Sequence, residues 1–366
     1  MKIVSTGYVN TPGFSDPQQW LDRISFYTGI LEELAKTHEV HSIEQISYKG
    51  ELKQRGVQYH FLNFTIPVPY FPFSLHSYIK KLKPDIVFVN GFIFPLQVIQ
   101  LKQALSNYTK IIIINHAERP ATGTKRFLQQ QADRAVHKYF FTSKEQGMDW
   151  VKKGIITDEK KIAEVMEASS TFTVIDKEQA RVKTKAKGHP VFLWVGRLDA
   201  NKDPMTMLRA FAKFVVHQPL ARLYMIYHTE ELKEEIMEYC KNNETVQHAV
   251  ELVGKSAHKE LQYWFSSADF IISASHYEGS GIAVCEAMSC GCIPILTDIA
   301  SFRKMTGPGK CGFLYKPGDD TALLKILEQT IHLDKENEKK KVLQQFKEEL
   351  SFEAIAKKIN TVINVC

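Results

Sequence analysis

The chain has 366 residues, room for two domains at roughly 100–200 residues each. Hydrophobic residues make up 44% and charged residues 24%, ordinary globular proportions that exclude a disordered chain, a collagen and a long coiled coil. Forty-seven Lys and Arg against forty-one Asp and Glu leave a charge of +6, which suits an anionic substrate or membrane surface and is too dilute for a nucleic-acid binder.

Short β-branched runs alternate with helical stretches from the first residues onward. Strands are predicted at Lys2–Ser5, Glu39–Ser42, Val57–Leu62, Ile86–Asn90, Ile111–Asn115 and Lys138–Thr142, with amphipathic segments at Trp20–Thr37 and Phe94–Ser106. The polar, basic stretch Arg181–Pro190 interrupts this rhythm and reads as a linker. The alternation then restarts. Strands are predicted at Val191–Val195, Arg222–Tyr227, Val250–Val253, Phe270–Ser275 and Ile293–Leu296. Helices are predicted at Pro204–His217, Glu230–Lys241, Ala257–Ala268 and Gly281–Cys290. Asp334–Leu350 reads as an exposed charged helix, and Phe352–Val365 as an amphipathic one that packs back on the first domain. The fold class is therefore α/β, with two doubly wound domains over residues 1–180 and 190–350.

Six cysteines are no disulfide framework in a chain of this length. Met1-Lys2-Ile3-Val4 leads straight into a strand with no apolar signal core. No apolar run reaches the roughly 18 residues of a membrane span, the nearest being broken at Asn90, Gly91, Pro95 and Gln97. The expectation is a cytoplasmic protein without a transmembrane segment, its basic balance leaving room for peripheral contact at the inner face of the membrane.

Chemistry concentrates in Ser275-His-Tyr-Glu-Gly-Ser-Gly-Ile-Ala-Val-Cys-Glu286, at a strand's carboxyl end and running into a helix. Gly279 and Gly281 permit close backbone approach, and the helix that follows offers N–H groups and a positive dipole end to an anion. Glu278 and Glu286 bracket the turn. Either is a ligand-binding carboxylate, or Glu278 is a loop acid and Glu286 a first-turn acid that complements the dipole. Within one helix, eight residues would place them about 12 Å apart, beyond the roughly 5–9.5 Å of glycosidase pairs, which disfavours a two-carboxylate hydrolase. A second segment, Val195-Gly196-Arg197-Leu-Asp-Ala-Asn-Lys202, also lies between strand and helix. Arg197 and Lys202 are either two surface bases or a fork and a point charge converging on one anion.

Val-Gly-Arg-Leu with a Lys five residues after the Arg, then Glu-Gly-x-Gly-x4-Glu-Ala-Met-x-x-Gly, resembles the donor domain of the retaining family 4 glycosyltransferases. Val253-Gly254, Ser267-Ala268-Asp269, Pro294-Ile295 and Gly312–Asp319 fit in order, so the resemblance spans about residues 190–320. It is thinner before residue 180, where it rests on the Met-Lys-Ile start, His38-Glu39-Val40, Lys83-Pro84-Asp85 and a strand ending in His116. The resemblance implies a GT-B fold, two Rossmann-like domains facing across a cleft. It also implies a retaining, metal-independent glycosyltransferase, hexosyl- or other, acting in cell-surface polysaccharide or glycoconjugate synthesis. The donor would be a UDP or GDP sugar, the acceptor a glycan or lipid-linked hydroxyl, with no cofactor, metal or nucleic acid. Arg197 and Lys202 would neutralise the diphosphate and Glu286 would bind the ribose. Gly196, Glu278, Gly279, Ser280, Gly281 and Ile282 would meet the donor sugar and its phosphate. Gly13 and His116 would lie on the acceptor side, with His116 facing the reacting sugar.

The chain departs from the family pattern in four places. The first glycine-rich turn is reduced to Gly7 and Gly13, and the second domain's Gly-x-Gly is Tyr227-His228-Thr229. The usual Pro-Asn-Gly is Met166-Glu167-Ala168-Ser169, and the residue between the loop glycines is Ser280. A sugar-nucleotide epimerase, a phosphorylase and an inactive donor-binding subunit are the alternatives. Gly307-Pro-Gly-Lys-Cys-Gly312 precedes a strand and so reads as no dinucleotide fingerprint. Cys285, Cys290 and Cys292 read as small core residues, and His137, His228 and His258 as structural. The Pro-broken aromatic run Phe64–Phe73 reads as a packed loop or as an acceptor- or membrane-facing surface.

Overall fold

The computed structural model describes residues 1–64 and 72–365; most of the aromatic run between Phe64 and Phe73 lies outside the described residues. The chain divides into two compact units, Met1–Ser169 with Phe352–Cys366, and Ser170–Ser351.

The first unit runs β1 (Lys2–Thr6), α1 (Pro17–Arg23), α2 (Ser25–Leu34), β2 (Glu39–Gln45), β3 (Gly50–Gln54), β4 (Val57–Leu62), α3 (Phe73–Leu82), β5 (Ile86–Asn90), α4 (Pro95–Ala104), β6 (Lys110–Ile114), α5 (Gly123–Asp133), β7 (Lys138–Phe141), α6 (Lys144–Lys152) and β8 (Ile162–Glu164). Among the described residues its sheet is ordered β3-β4-β2-β1-β5-β6-β7-β8, parallel except for β3, which pairs antiparallel with β4. The central strands are buried on both faces, which is why Ile86–Val89 and Ile111–Ile113 read as continuous apolar runs. The predicted helix Trp20–Thr37 is two helices: Asp16 caps the first, accepting from the N–H groups of Gln18 and Gln19, and the chain breaks at Ile24.

The second unit runs α7 (Lys177–Thr184), β9 (Val191–Gly196), α8 (Pro204–His217), β10 (Arg222–Tyr227), α9 (Lys233–Lys241), α10 (Glu244–Gln247), β11 (Val250–Gly254), α11 (His258–Ser267), β12 (Phe270–Ser273), α12 (Ile282–Ser289), β13 (Ile293–Thr297), α13 (Ala300–Thr306), β14 (Phe313–Tyr315), α14 (Asp320–Gln329) and α15 (Lys335–Gln345). Its sheet is wholly parallel in the order β11-β10-β9-β12-β13-β14. The order reverses between β9 and β12, and in such sheets ligands bind outside the carboxyl ends at this switch point.

Two further sequence expectations need correcting. Arg181–Pro190 is not a linker: the units divide at residue 169/170, and α7 docks on α11 within the second unit. Lys177 bonds Asp269 at 2.6 Å, the N–H of Ile175 donates to Ser266 Oγ at 3.2 Å, and Ala180 is buried. Asp334–Leu350 is not an exposed helix either. Glu338, Val342, Gln345 and Leu350 are buried, with Glu338 accepting from the N–H of Gly312 at 2.7 Å. The edge strand β3 was not anticipated.

The final helix α16 (Phe352–Asn364) lies on α2, burying Ile355, Ala356, Ile359 and Ile363. Gly29 makes room for it: a Cβ there would sit 2.7 Å from the Phe352 ring. Among the described residues no helix is long and apolar enough to cross a membrane. Ile359 is 2% exposed, so Ile359→Ala should destabilise the first unit by about 2–5 kcal/mol through lost transfer energy and a residual cavity. Urea denaturation, followed by a probe confined to that unit, should show the lower midpoint.

Candidate active site

In the second unit the switch point is built by two loops. β12 pairs with β9 only through Phe270 with Phe192 and Ile271 with Leu193, and the loop after each strand starts from its carboxyl end. Asn201 joins the two loops, donating from Nδ2 to the Tyr277 carbonyl at 3.0 Å and accepting on its own carbonyl from the N–H of His276 at 2.8 Å.

On these loops Lys202 Nζ is ion-paired with Glu278 Oε1, which also accepts from Ser275 Oγ at 2.6 Å. Asp199 organises the cationic loop. Its Oδ1 accepts from the N–H of Lys202 at 2.9 Å, and its Oδ2 pairs with Arg197 Nη2 at 3.0 Å. The Arg197 side chain is half exposed, whereas those of Lys202 and Glu278 are mostly covered. Gly196 lies beneath: a Cβ there would approach the Trp194 ring at 3.1 Å and Lys202 Cδ at 3.7 Å. In place of the family's Gly-x-Gly, the Thr229 hydroxyl accepts from the N–H of Leu198 at 3.0 Å and so fixes the same loop from β10.

α12 opens with Gly281 as its N-cap at φ 58°. Gly281 has no side chain to offer, so the first-turn N–H groups carry no side-chain cap and their dipole end remains available to an anion. Gly279 is half-buried and Ser280 is buried in the turn before it, and Ile282 begins the helix half-buried. Glu286 is not a first-turn acid. It stands in the second turn, 4% exposed, with Oε1 at 2.5 Å from His258 Nε2. His258, expected to be a structural histidine, is thus the partner of Glu286. It opens α11, is half exposed, and packs its ring on Phe172 at 5.0 Å between centroids.

In the first unit His116 follows β6. Its Nδ1 is ion-paired with Glu167, its Nε2 lies 3.2 Å from Asn90 Oδ1, and its backbone N–H donates to Glu118 Oε2 at 2.7 Å. Burial lowers the imidazole's affinity for a proton. The bond to Glu167 and the charges of Glu167 and Glu118 outweigh that and leave its pKa above the ordinary value. Burial pushes the Glu118 carboxyl up, with the His116 charge opposing it. Gly13 is not built into this arrangement: it is exposed, with nothing within 4 Å of the Cβ it lacks.

The structure thus brings Gly196, Lys202 and Glu278 together at one switch point and holds Arg197 there through Asp199. Glu286 is joined to His258 instead of Glu278, and His116 is joined to Glu167. The sequence assigned no site role to Asp199, Asn201, Ser275, His258, Asn90 or Glu167 individually. Only Asp199 had a local signal, its place three residues before Lys202, where an Asp accepts a backbone bond. Cys285, Cys290 and Cys292 are buried; burial pushes the Cys290 thiol up to about 12. Among the described residues no three His, Cys, Asp or Glu side chains gather as metal ligands.

Comparison with known proteins bears on the fold and on the second unit. Residues 176–349 match the sequence profile of the family described as glycosyl transferases group 1. The second unit belongs to that family. The chain is 30% identical over 122 residues to a GDP-mannose:cellobiosyl-diphosphopolyprenol alpha-mannosyltransferase of Xanthomonas oryzae, covering 33% of this chain and 32% of that protein. It is 28% identical over 165 residues to a putative glycosyltransferase EpsD of Bacillus subtilis, covering 42% and 40%. These matches span less than half the length of the curated relatives. Two solved structures share the fold across the whole chain. Sucrose-phosphate synthase from Thermosynechococcus elongatus superposes with a TM-score of 0.72 at 16% identity, covering 100% of this chain and 99% of that one. Anabaena Alr3699/HepE, solved with UDP and glucose, gives 0.70 at 13%, covering all of both chains. The fold is that of the GT-B glycosyltransferases.

Gly281→Ala tests how tightly the turn before α12 is specified. A left-handed backbone costs a non-glycine residue about 1–2 kcal/mol. The new Cβ would also meet Phe302, itself fully buried, at 2.7 Å. The variant should unfold at lower urea than the wild type when the second unit is followed by a probe confined to it.

Proposed function

We propose that the chain is a retaining, metal-independent glycosyltransferase. It would carry a sugar from a UDP- or GDP-linked donor to a hydroxyl of a glycan or lipid-linked acceptor, in cell-surface polysaccharide or glycoconjugate synthesis. One observation carries the reading. The Arg197–Lys202 loop and the N-terminus of α12, which lacks a side-chain cap, meet at the switch point of a family-typical unit. Two cations and a helix terminus suit a diphosphate, and they would stabilise the charge that builds on a nucleoside-diphosphate leaving group. Glu286 is assigned the ribose hydroxyls and Glu278, beside Lys202, the transferred sugar. The first unit is assigned the acceptor. The relatives named for GDP-mannose and diphosphopolyprenol make those the first donor and acceptor to try, with UDP-glucose beside them. A soluble cytoplasmic enzyme with peripheral membrane contact is the setting we propose.

Arg197→Ala and Lys202→Ala should each weaken donor binding and cut turnover by roughly 10²–10³-fold, the scale for removing one transition-state charge partner. Near-wild-type turnover in both would remove the diphosphate clamp. Calorimetry should separate the carboxylates. Glu286→Gln should weaken bare nucleoside diphosphate as much as the full donor, whereas Glu278→Gln should bind the diphosphate normally and lose transfer. The reverse pattern would exchange their roles. Transfer should survive EDTA, because the phosphate charge is met by Arg197, Lys202 and α12. Loss restored by Mg²⁺ or Mn²⁺ would contradict the metal-independent reading. Retention is checked by the anomeric configuration of the product in NMR.

A further inference from the structure

The polar groups facing the two nitrogens of the His116 ring bear on its protonation state. Asn90 Nδ2 lies 3.2 Å from the Thr6 carbonyl and 3.1 Å from Ser5 Oγ. A carbonyl can only accept, so the amide nitrogen must face Thr6, and Asn90 then turns Oδ1, an acceptor, toward His116 Nε2 at 3.2 Å. The other ring nitrogen, Nδ1, faces the carboxylate of Glu167, also an acceptor. A neutral imidazole has one N–H and could satisfy only one of these partners.

We propose that His116 is a resident imidazolium, doubly protonated between Glu167 and Asn90, and that Glu167 is the positioning residue that keeps it so. A second carboxylate acting on the ring is Glu118, on the same loop. Glu167 enters from the loop after β8, among the walls of a small cavity lined also by Ser5, Tyr27, Phe88, Ile114 and Asn90. The side chain of Glu167 is 8% exposed, so its negative charge is little screened, and that of His116 is 33% exposed, open to a ligand. An imidazolium has no lone pair. His116 therefore cannot take the proton of an acceptor hydroxyl; with both N–H groups held by Glu167 and Asn90, it acts on electron-rich oxygens of a bound sugar or phosphate through its positive charge. This role rests on the transferase reading, but the protonation state does not.

The test is ¹⁵N NMR of the full chain labelled at histidine, with His116→Gln to assign the resonance. Both ring nitrogens of His116 should be protonated at pH 7. Glu167→Gln should shift the ring's titration to lower pH by at least about one unit, since burial then acts without its main opponent. Asn90→Asp, which adds a second carboxylate, should shift it upward and decides the question if Glu167→Gln does not fold. A wild-type His116 with one bare nitrogen at pH 7, or a titration unmoved by both variants, would overturn the proposal. In transfer assays the basic limb of the pH profile should move down in Glu167→Gln. If no donor supports transfer the enzymatic reading fails, and the NMR titration still decides this one.

Discussion

The reversal of strand order at β9 is the constraint on which the site of the second unit depends. Parallel strands need crossover helices, so all their carboxyl ends lie along one edge of the sheet. Elsewhere along this edge successive connections turn the same way; between β9 and β12 they turn apart, and the register pairs these two strands through only two residues. Two loops therefore leave neighbouring strand ends without filling the space between them. Short polar ties then fix each: Asn201 to Tyr277 across the gap, Thr229 to Leu198 on one side, and Thr297 Oγ1 to the Ser275 carbonyl at 2.5 Å on the other. The sheet places the loops, and these bonds aim them.

Every cation singled out here comes already paired, and the magnitudes differ in a useful way. Arg197–Asp199 is half exposed, and such pairs contribute at most about 1 kcal/mol, so Arg197 can turn to a ligand at small cost. Lys202–Glu278 is largely covered, and stripping a covered charge of its partner costs about 3–5 kcal/mol. Ser275 offsets part of that by donating to the same carboxylate oxygen. Lys202 is thus the more firmly held of the two cations and Arg197 the freer. In the first unit His116 has no such freedom, because both its nitrogens are engaged.

What the sequence made legible follows from the range over which each feature is encoded. Strands buried on both faces appear as apolar runs, and Val57–Leu62, Ile86–Asn90 and Arg222–Tyr227 begin and end where the periodicity places them. β3 did not appear, because Gly50-Glu-Leu-Lys-Gln54 is an edge strand with little apolar surface to show. α7 was obscured by its own charge: only Ala180 is buried, and its docking depends on Asp269, far along the chain. The same divide runs through the sites. Arg197, Lys202, Gly281 and Glu286 lie in two short segments whose spacing is distinctive. Their partners His258 and Ser275, and the Glu167 of His116, are supplied by tertiary structure, and nothing local distinguishes His258 from a surface histidine or Glu167 from any acid after a strand. Resemblance even drew attention away from Glu167, since it stands where the family has another residue.

Two residues that are not glycine adopt left-handed backbone beside the two sites, Ala117 at φ 68° and Asp203 at φ 42°. Asp203 is compensated. Its carboxylate caps α8, accepting from Thr206 N–H at 3.2 Å and Thr206 Oγ1 at 2.7 Å, and it faces His276 Nε2 at 3.2 Å. Ala117 has no polar side chain to recover the cost of about 1–2 kcal/mol. Its conformation is imposed from outside: its N–H donates to Asn115 Oδ1 at 3.1 Å, and the adjoining His116 N–H donates to Glu118 Oε2. Glycine would adopt this turn without strain, but it would also let the loop relax. An alanine held there by its neighbours keeps His116 and Glu118 in one relation to each other, as a fixed imidazolium requires, whereas Gly13, in open space, constrains nothing.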